Sequence, residues 1–153
     1  MSEKIITDPE RCVGCGACVV ACMEQNDICP EKGDPPFRRV SKIEIGEGSS
    51  AVIRYLSVGC NHCDAGPCLK ACPAGAVRQD PKTGSVRVDR SLCTGCRSCA
   101  AACPFGVPRY DAENKMIKCD LCSVRVSRGL APVCVKVCPM RALRFAEPDV
   151  TAD

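Results

Sequence analysis

The chain has 153 residues, 17 of them cysteine, with no Trp, three Phe, two Tyr and a formal net charge of +3 from 21 basic and 18 acidic side chains. That length allows one domain or two very small ones, and so few rings leave a side-chain core short of bulk, so something other than side chains is expected in the interior. The charges are scattered, and no basic stripe interleaves with aromatic residues, which gives a nucleic-acid partner no support; no apolar stretch approaches the 18 residues of a membrane span.

In chain order, Met1 to Pro9 is charged and mixed. It has no apolar h-region and no twin arginine, which points to a cytoplasmic chain. An odd number of thiols in a reducing compartment is not a disulfide framework, and metal is the better account. Ile5-Ile6-Thr7 reads as a strand. The first cysteine group follows as Cys12-Val-Gly-Cys15-Gly-Ala-Cys18 and Cys22, with a short helix over Val19 to Glu24. Cys29 stands apart in Asp27-Ile-Cys-Pro30. Arg39 to Ile45 and Ala51 to Leu56 alternate as the two strands of a hairpin around Gly46 to Ser50. The second group is Cys60, Cys63, Cys68 and Cys72-Pro73. Val77, Val86 and Val88 then mark two short strands about a Pro-Lys-Thr-Gly turn. The third group is Cys93, Cys96, Cys99 and Cys103-Pro104, with a short helix over Ala100 to Ala102. Val107 to Asp111 and Met116 to Lys118 suit another hairpin, around Glu113-Asn114. The fourth group is Cys119, Cys122, Cys134 and Cys138-Pro139. Ala142-Leu-Arg-Phe145 supplies a strand partner for Ile5 to Thr7, and the tail after Ala146 is expected to be frayed or partner-bound.

Groups one and three match C-x2-C-x2-C-x3-C, the ferredoxin run for a [4Fe–4S] cluster. Three thiolates spaced by two residues let one short loop wrap three corners of a cube. Gly14, Gly16 and Gly95 keep that loop open for backbone N–H groups to approach. The fourth cysteine lies beyond, where a helix carries it to the other cluster of a pair. Pro73, Pro104 and Pro139 turn the chain just after that ligand, and Met23 takes the equivalent place in group one. Zinc is the alternative, but zinc ribbons use two distant C-x2-C knuckles and need neither a third nearby cysteine nor a final Cys-Pro.

The segment between Cys72 and Cys93 resembles the hairpin joining the halves of a bacterial two-cluster ferredoxin. Four such groups in this order resemble the four-cluster iron–sulfur subunit of dimethyl-sulfoxide-reductase-type electron-transfer proteins. The stretches that carry the likeness are Cys12 to Cys22, Cys60-Asn-His-Cys-Asp-Ala-Gly-Pro-Cys68, Lys118-Cys-Asp-Leu-Cys122, Pro132-Val-Cys134 and Cys138-Pro-Met-Arg-Ala-Leu143. The resemblance implies an α+β fold of two interlocked bacterial ferredoxin-like modules with short β-hairpins and short helices. An outer module would span 1–59 and 104–153, and an inner one 60–103. It also implies four [4Fe–4S] clusters. One would take Cys12, Cys15, Cys18 and Cys138, and its mate Cys119, Cys122, Cys134 and Cys22. The inner module would use Cys60, Cys63, Cys68 and Cys103 for one, and Cys93, Cys96, Cys99 and Cys72 for the other. Four oxidised cubes at about −2 each would carry the net charge to roughly −5.

The implied function is relay of single electrons to or from a catalytic molybdenum- or tungsten-pterin oxidoreductase, of the aldehyde oxidoreductase or formate dehydrogenase type. The chain's shortness beside larger relatives favours the compact versions, in which a flavoprotein can complete the complex. A hydrogenase complex and a free polyferredoxin carrier are the alternatives, and chain-to-chain association is a further possibility for partnering. No acid, base or nucleophile cluster appears, so no catalytic residue is expected on this chain. Cys29 lacks the ligand spacing and reads as a free thiol. His62, the single histidine, reads as exposed or as hydrogen-bonded beside a cluster rather than as a ligand. Lys70, Arg97, Lys118 and Lys136 lie in or beside ligand loops and either raise cluster potentials or are simply solvated.

Overall fold

Strand β1 (Lys4–Thr7) leads into helix α1 (Ala17–Gln25). A long hairpin follows, β2 (Arg39–Ile45) with β3 (Val52–Val58), then the single turn α2 (Pro67–Lys70) and a short hairpin, β4 (Val77–Gln79) with β5 (Val86–Val88). Helix α3 (Ser98–Ala102) precedes the two-residue strands β6 (Arg109–Tyr110) and β7 (Met116–Ile117). Helices α4 (Ser123–Val126) and α5 (Val133–Val137) and strand β8 (Leu143–Ala146) follow. This is a computed structural model, and it describes residues 4–146. The tail expected to fray, 147–153, lies outside them.

Among the described residues every sheet is a two-stranded antiparallel ribbon. β1 pairs with β8, Ile5 opposite Phe145 and Thr7 opposite Leu143. β2 pairs with β3, β4 with β5, and β6 with β7. All four pairings are those expected from the sequence, to within a residue or two at the ends. Helix α1 packs on α5, and α2 on α3. The chain therefore contains two similar sets of parts: the ribbon β1–β8 with helices α1 and α5, and the ribbon β4–β5 with helices α2 and α3.

Each set has its own small core, built partly of sulfur. Ile5, Cys18, Leu121, Cys134 and Leu143 form one, and Ala76, Val77, Val86, Cys93, Cys99 and Met116 the other. Tyr110 packs against the second, so the β6–β7 ribbon leans on it.

Proline decides how long the ligand-bearing helices run. Cys103 and Cys138 are extended, and α3 and α5 stop just before them, because a residue preceding proline is pushed out of the helical region. Met23 imposes no such stop, and α1 continues through Cys22 to Gln25. Three short helices go beyond the sequence expectation. α2 begins with Pro67 at its first position, where the missing N–H is not needed. α4 is started by the Asp120 carboxylate, which accepts from the Ser123 N–H at 3.3 Å and the Ser123 hydroxyl at 2.5 Å. α5 carries three valines in five residues, poor helix formers, and is held by its packing on α1. No helix among the described residues is long and apolar enough to cross a membrane.

Candidate metal centres

All 17 cysteines are free thiols, and the fold brings eight of the grouped ones around two hollows. Cys12, Cys15, Cys18 and Cys138 line one hollow of about 340 Å³, closed by Val40, Met140 and Leu143. Cys72, Cys93, Cys96 and Cys99 line a second of about 320 Å³, beside Tyr110 and Met116. Each hollow thus takes three cysteines from one loop and the fourth from a distant group. Cys22 lies close enough to Cys134 and Cys122 to feel their charge, and Cys68 likewise feels Cys60 and Cys103.

The donor chemistry suits an iron–sulfur cube. Every candidate ligand is a thiol, and among the described residues no three His, Cys, Asp or Glu side chains converge to hold a single metal ion. The sulfurs stand around a space rather than about a point, which disfavours tetrahedral zinc. Backbone N–H groups already point at sulfur: His62 N–H at Cys60, Ala76 at Cys72, Met116 at Cys93, Leu121 at Cys119 and Ala142 at Cys138, all 3.3–3.4 Å away. Hydrogen bonds of this kind to a thiolate stabilise it and tune the metal it holds.

Gly16 and Arg97 occupy equivalent places just before α1 and α3, and both are left-handed, φ 75° and 65°. Glycine adopts this conformation freely, whereas arginine is strained there. Arg97 is restrained by its guanidinium, which lies 4.7 Å over the Tyr110 ring and donates to Asn114 Oδ1 at 3.0 Å.

Burial favours the protonated form of several of the bare thiols. It pushes Cys22 up to about 12, with Cys134 adding to the effect and the Arg38 charge opposing it. Burial raises Cys134 and Cys122 as well, and carries Cys119 beyond the usual thiol range with help from Cys60. Cys96, at the surface, goes the other way because Ser98 hydrogen-bonds to it. Metal binding must therefore displace protons from the inner thiols.

Several side chains next to the sulfurs carry no motif that would reveal them. The Tyr110 hydroxyl lies 3.2 Å from Cys99 Sγ. Asn26 donates to the Cys22 carbonyl at 2.7 Å and reaches its Sγ at 3.7 Å. The Ser57 hydroxyl lies 3.2 Å from Cys18 Sγ and accepts from the buried Arg38 at 2.9 Å. All of these contacts span positions that only the folded chain or a helix turn brings together.

His62 is buried, 1 % exposed, so of its two sequence readings the hydrogen-bonded one holds. The Val86 N–H donates to His62 Nδ1 at 2.9 Å. That places the ring proton on Nε2, which faces Cys119 Sγ at 3.5 Å. Burial, reinforced by the Lys118, Arg38 and Lys4 charges, lowers the histidine to about 3 and keeps it neutral. Lys118 is also buried and donates to the carbonyls of Val86 and Cys119. Residue 86 therefore joins the second and fourth cysteine groups through both of its backbone polar atoms. Lys70, Arg97 and Lys136 are exposed.

Cys29 lies away from the hollows, its N–H donating to Asp34 Oδ2 at 3.2 Å. Cys29→Ser is expected to leave the iron content of the reconstituted chain unchanged; a loss of about four irons would make it a ligand.

Residues 51–148 match the 4Fe-4S dicluster domain, and residues 3–24 a 4Fe-4S binding domain. The chain is 43% identical over 147 residues to the probable anaerobic dimethyl sulfoxide reductase chain YnfG of Escherichia coli (strain K12), covering 90% of this chain and 70% of that protein. It belongs to the dimethyl sulfoxide reductase family of 4Fe-4S electron-transfer subunits. Within that family the thiosulfate reductase electron transfer subunit PhsB of Salmonella typhi is 38% identical over 147 residues, covering 95% of this chain and 76% of the relative. The protein NrfC of Escherichia coli (strain K12) is 37% identical over 147 residues, 95% of this chain and 65% of its own length. The two 4Fe-4S domain matches and the grouped cysteines fit four [4Fe–4S] clusters.

Proposed function

We propose that this chain relays single electrons through four [4Fe–4S] clusters to or from a catalytic oxidoreductase partner of the molybdenum- or tungsten-pterin type, in the class of aldehyde oxidoreductases or formate dehydrogenases. The observation that carries the reading is the sorting of the cysteines, with two hollows each ringed by four thiols drawn from two distant groups. Two ligand sets rest on it, and the other two take the remaining grouped cysteines as the family resemblance implies. Cys12, Cys15, Cys18 and Cys138 hold one cluster, and Cys72, Cys93, Cys96 and Cys99 another. Cys22, Cys119, Cys122 and Cys134 hold a third, and Cys60, Cys63, Cys68 and Cys103 the fourth. The outer module, 1–59 with 104–153, then interlocks with the inner module, 60–103. The pairing of β1 with β8 and of α1 with α5 supports the outer unit, and β4–β5 with α2 on α3 the inner one.

When bound, each cluster supplies reversible storage of one electron. The chain's own residues do the rest. The thiolates bridge the two halves of each module. The backbone N–H groups of His62, Ala76, Met116, Leu121 and Ala142 meet sulfur and stabilise its charge. Leu121 and Met116, nearly inaccessible, exclude water. No acid, base or nucleophile is asked of this chain, since substrate chemistry would occur on the partner.

Anaerobic reconstitution is expected to load about sixteen irons per chain, four per cube, with a broad visible absorbance bleached by dithionite. Four zinc ions and no colour would end the reading. Affinity purification under anaerobic conditions is expected to bring down a large subunit carrying molybdenum or tungsten. Recovery of the loaded chain alone would favour a free carrier.

A further inference from the structure

Arg38 is only 4 % exposed, and no carboxylate pairs with it among the described residues. A guanidinium withdrawn from water without a counter-ion is strongly unfavourable unless other negative charge compensates it. Its fixed neighbours are polar but neutral. Nη1 donates to Ser57 Oγ at 2.9 Å and also reaches the Ser57 carbonyl at 3.4 Å. Ser57 is itself buried, 4 % exposed. Its oxygen lies 3.2 Å from the sulfur of Cys18, and once that sulfur is a thiolate the Ser57 hydroxyl is the donor of the pair.

The backbone makes room for this cation. A Cβ on Gly59 would stand 2.8 Å from Arg38 Nη2 and 3.0 Å from Cζ. The groups that feel the charge are Cys22, Cys119, Cys122 and Cys134, where it opposes the effect of burial. Together with Cys18, reached through Ser57, these sulfurs belong to the first and fourth groups.

We propose that Arg38 is a positioning residue of the electron relay: a fixed internal cation that, directly and through the Ser57 hydroxyl, raises the reduction potentials of the two clusters held by groups one and four. The inference rests on the ligand sets proposed above. Each reduction adds one negative charge, and a nearby cation in a poorly screened interior favours the reduced form. The clusters in turn supply the negative charge that the guanidinium otherwise lacks, so the ion and the clusters stabilise one another.

The test is a redox titration of the reconstituted full chain followed by electron paramagnetic resonance, with iron counted on the same samples. Arg38→Met is expected to keep about sixteen irons and to lower the reduction equilibrium constant of two of the four signals about tenfold or more, which is ~59 mV each. Arg38→Lys, which restores the charge, is expected to return both towards the parent values. Ser57→Ala is expected to lower one signal alone. Four unmoved signals in a fully loaded Arg38→Met protein would overturn the proposal, as would an equal shift in all four. Should Arg38→Met lose its iron, Ser57→Ala decides: one lowered signal sustains the proposal and four unmoved signals overturn it. A parent protein with far fewer than about sixteen irons overturns the four-cluster reading and this inference with it, whereas full iron with unmoved potentials overturns the role of Arg38 alone.

Discussion

Cys18→Ala and Cys22→Ala are expected to extinguish two different cluster signals, each at a cost of up to about four of about sixteen irons, although the two residues are one helical turn apart. Both are buried on α1. Cys18 faces the hollow it shares with Cys12, Cys15 and Cys138. Cys22 feels Cys134 and Cys122 more strongly than it feels Cys18. On the proposed ligand sets the helix acts as the strut between two sites and gives one thiol to each. Losing either should also interrupt transfer along the chain, because a relay with a missing member has no short route around it. The measurement is iron content with electron paramagnetic resonance on each reduced variant, and end-to-end electron transfer with a strong donor and a dye acceptor, expected to slow at least tenfold. If both substitutions removed the same signal, the assignment of Cys22 to the set of Cys119, Cys122 and Cys134 would be wrong.

The cysteine spacing made much of this legible. A C-x2-C-x2-C loop closes on itself, so three members of each run were bound to lie together whatever the rest of the chain did. The strands were legible too, since Arg39 to Ile45 and Val86 with Val88 alternate and Ile5 to Thr7 is a short β-prone run. Helix α5 was not. Val133, Val135 and Val137 have the period of a strand, and only packing against α1 between two cysteines and before Pro139 makes the segment helical. The same competition of tertiary contact against local preference hides α2 and α4, each barely one turn long.

The residues around the sulfurs were the least legible. Of the four basic side chains that sequence position singled out, only Lys118 is buried next to a cysteine group. The cation in the interior, Arg38, lies outside every motif, 16 residues after Cys22 and 22 before Cys60 by position. Its link to Cys18 runs through Ser57 of β3, and the strand register that sets it there is a long-range property. His62 shows the same limit. Its position inside a cysteine group was visible, but its contacts are with Val86 and Cys119, 24 and 57 residues away.

Gly95→Ala is expected to be far more damaging than Gly16→Ala, though both glycines are left-handed at φ 72° and 75° and sit in matching loops. Each substitution costs roughly 1–2 kcal/mol for a Cβ in that region of backbone space. Around Gly16 nothing lies within 4 Å of the added atom, whereas at Gly95 it would stand 2.3 Å from the Asn114 carbonyl oxygen and 2.4 Å from its Nδ2. The nearest obstacle is a backbone atom, and it is braced. The Asp111 carboxylate accepts from the N–H groups of Glu113 and Lys115 at 3.0 and 2.9 Å, and the Asn114 N–H donates to the Asp111 carbonyl at 3.0 Å. Relief requires the whole β6–β7 turn to retreat. That turn carries Tyr110 against Cys99 and the Met116 N–H against Cys93, so the third cysteine group would lose two of its supports. Overpacking adds about 1–3 kcal/mol, for a total near 2–5 kcal/mol against roughly 1–2 for the Gly16 variant. Urea titration followed by loss of cluster absorbance should place Gly95→Ala well below Gly16→Ala in midpoint, with selective loss of the signal assigned to Cys72, Cys93, Cys96 and Cys99. Equal midpoints for the two variants would mean that the β6–β7 turn yields freely and does not hold the third group in place.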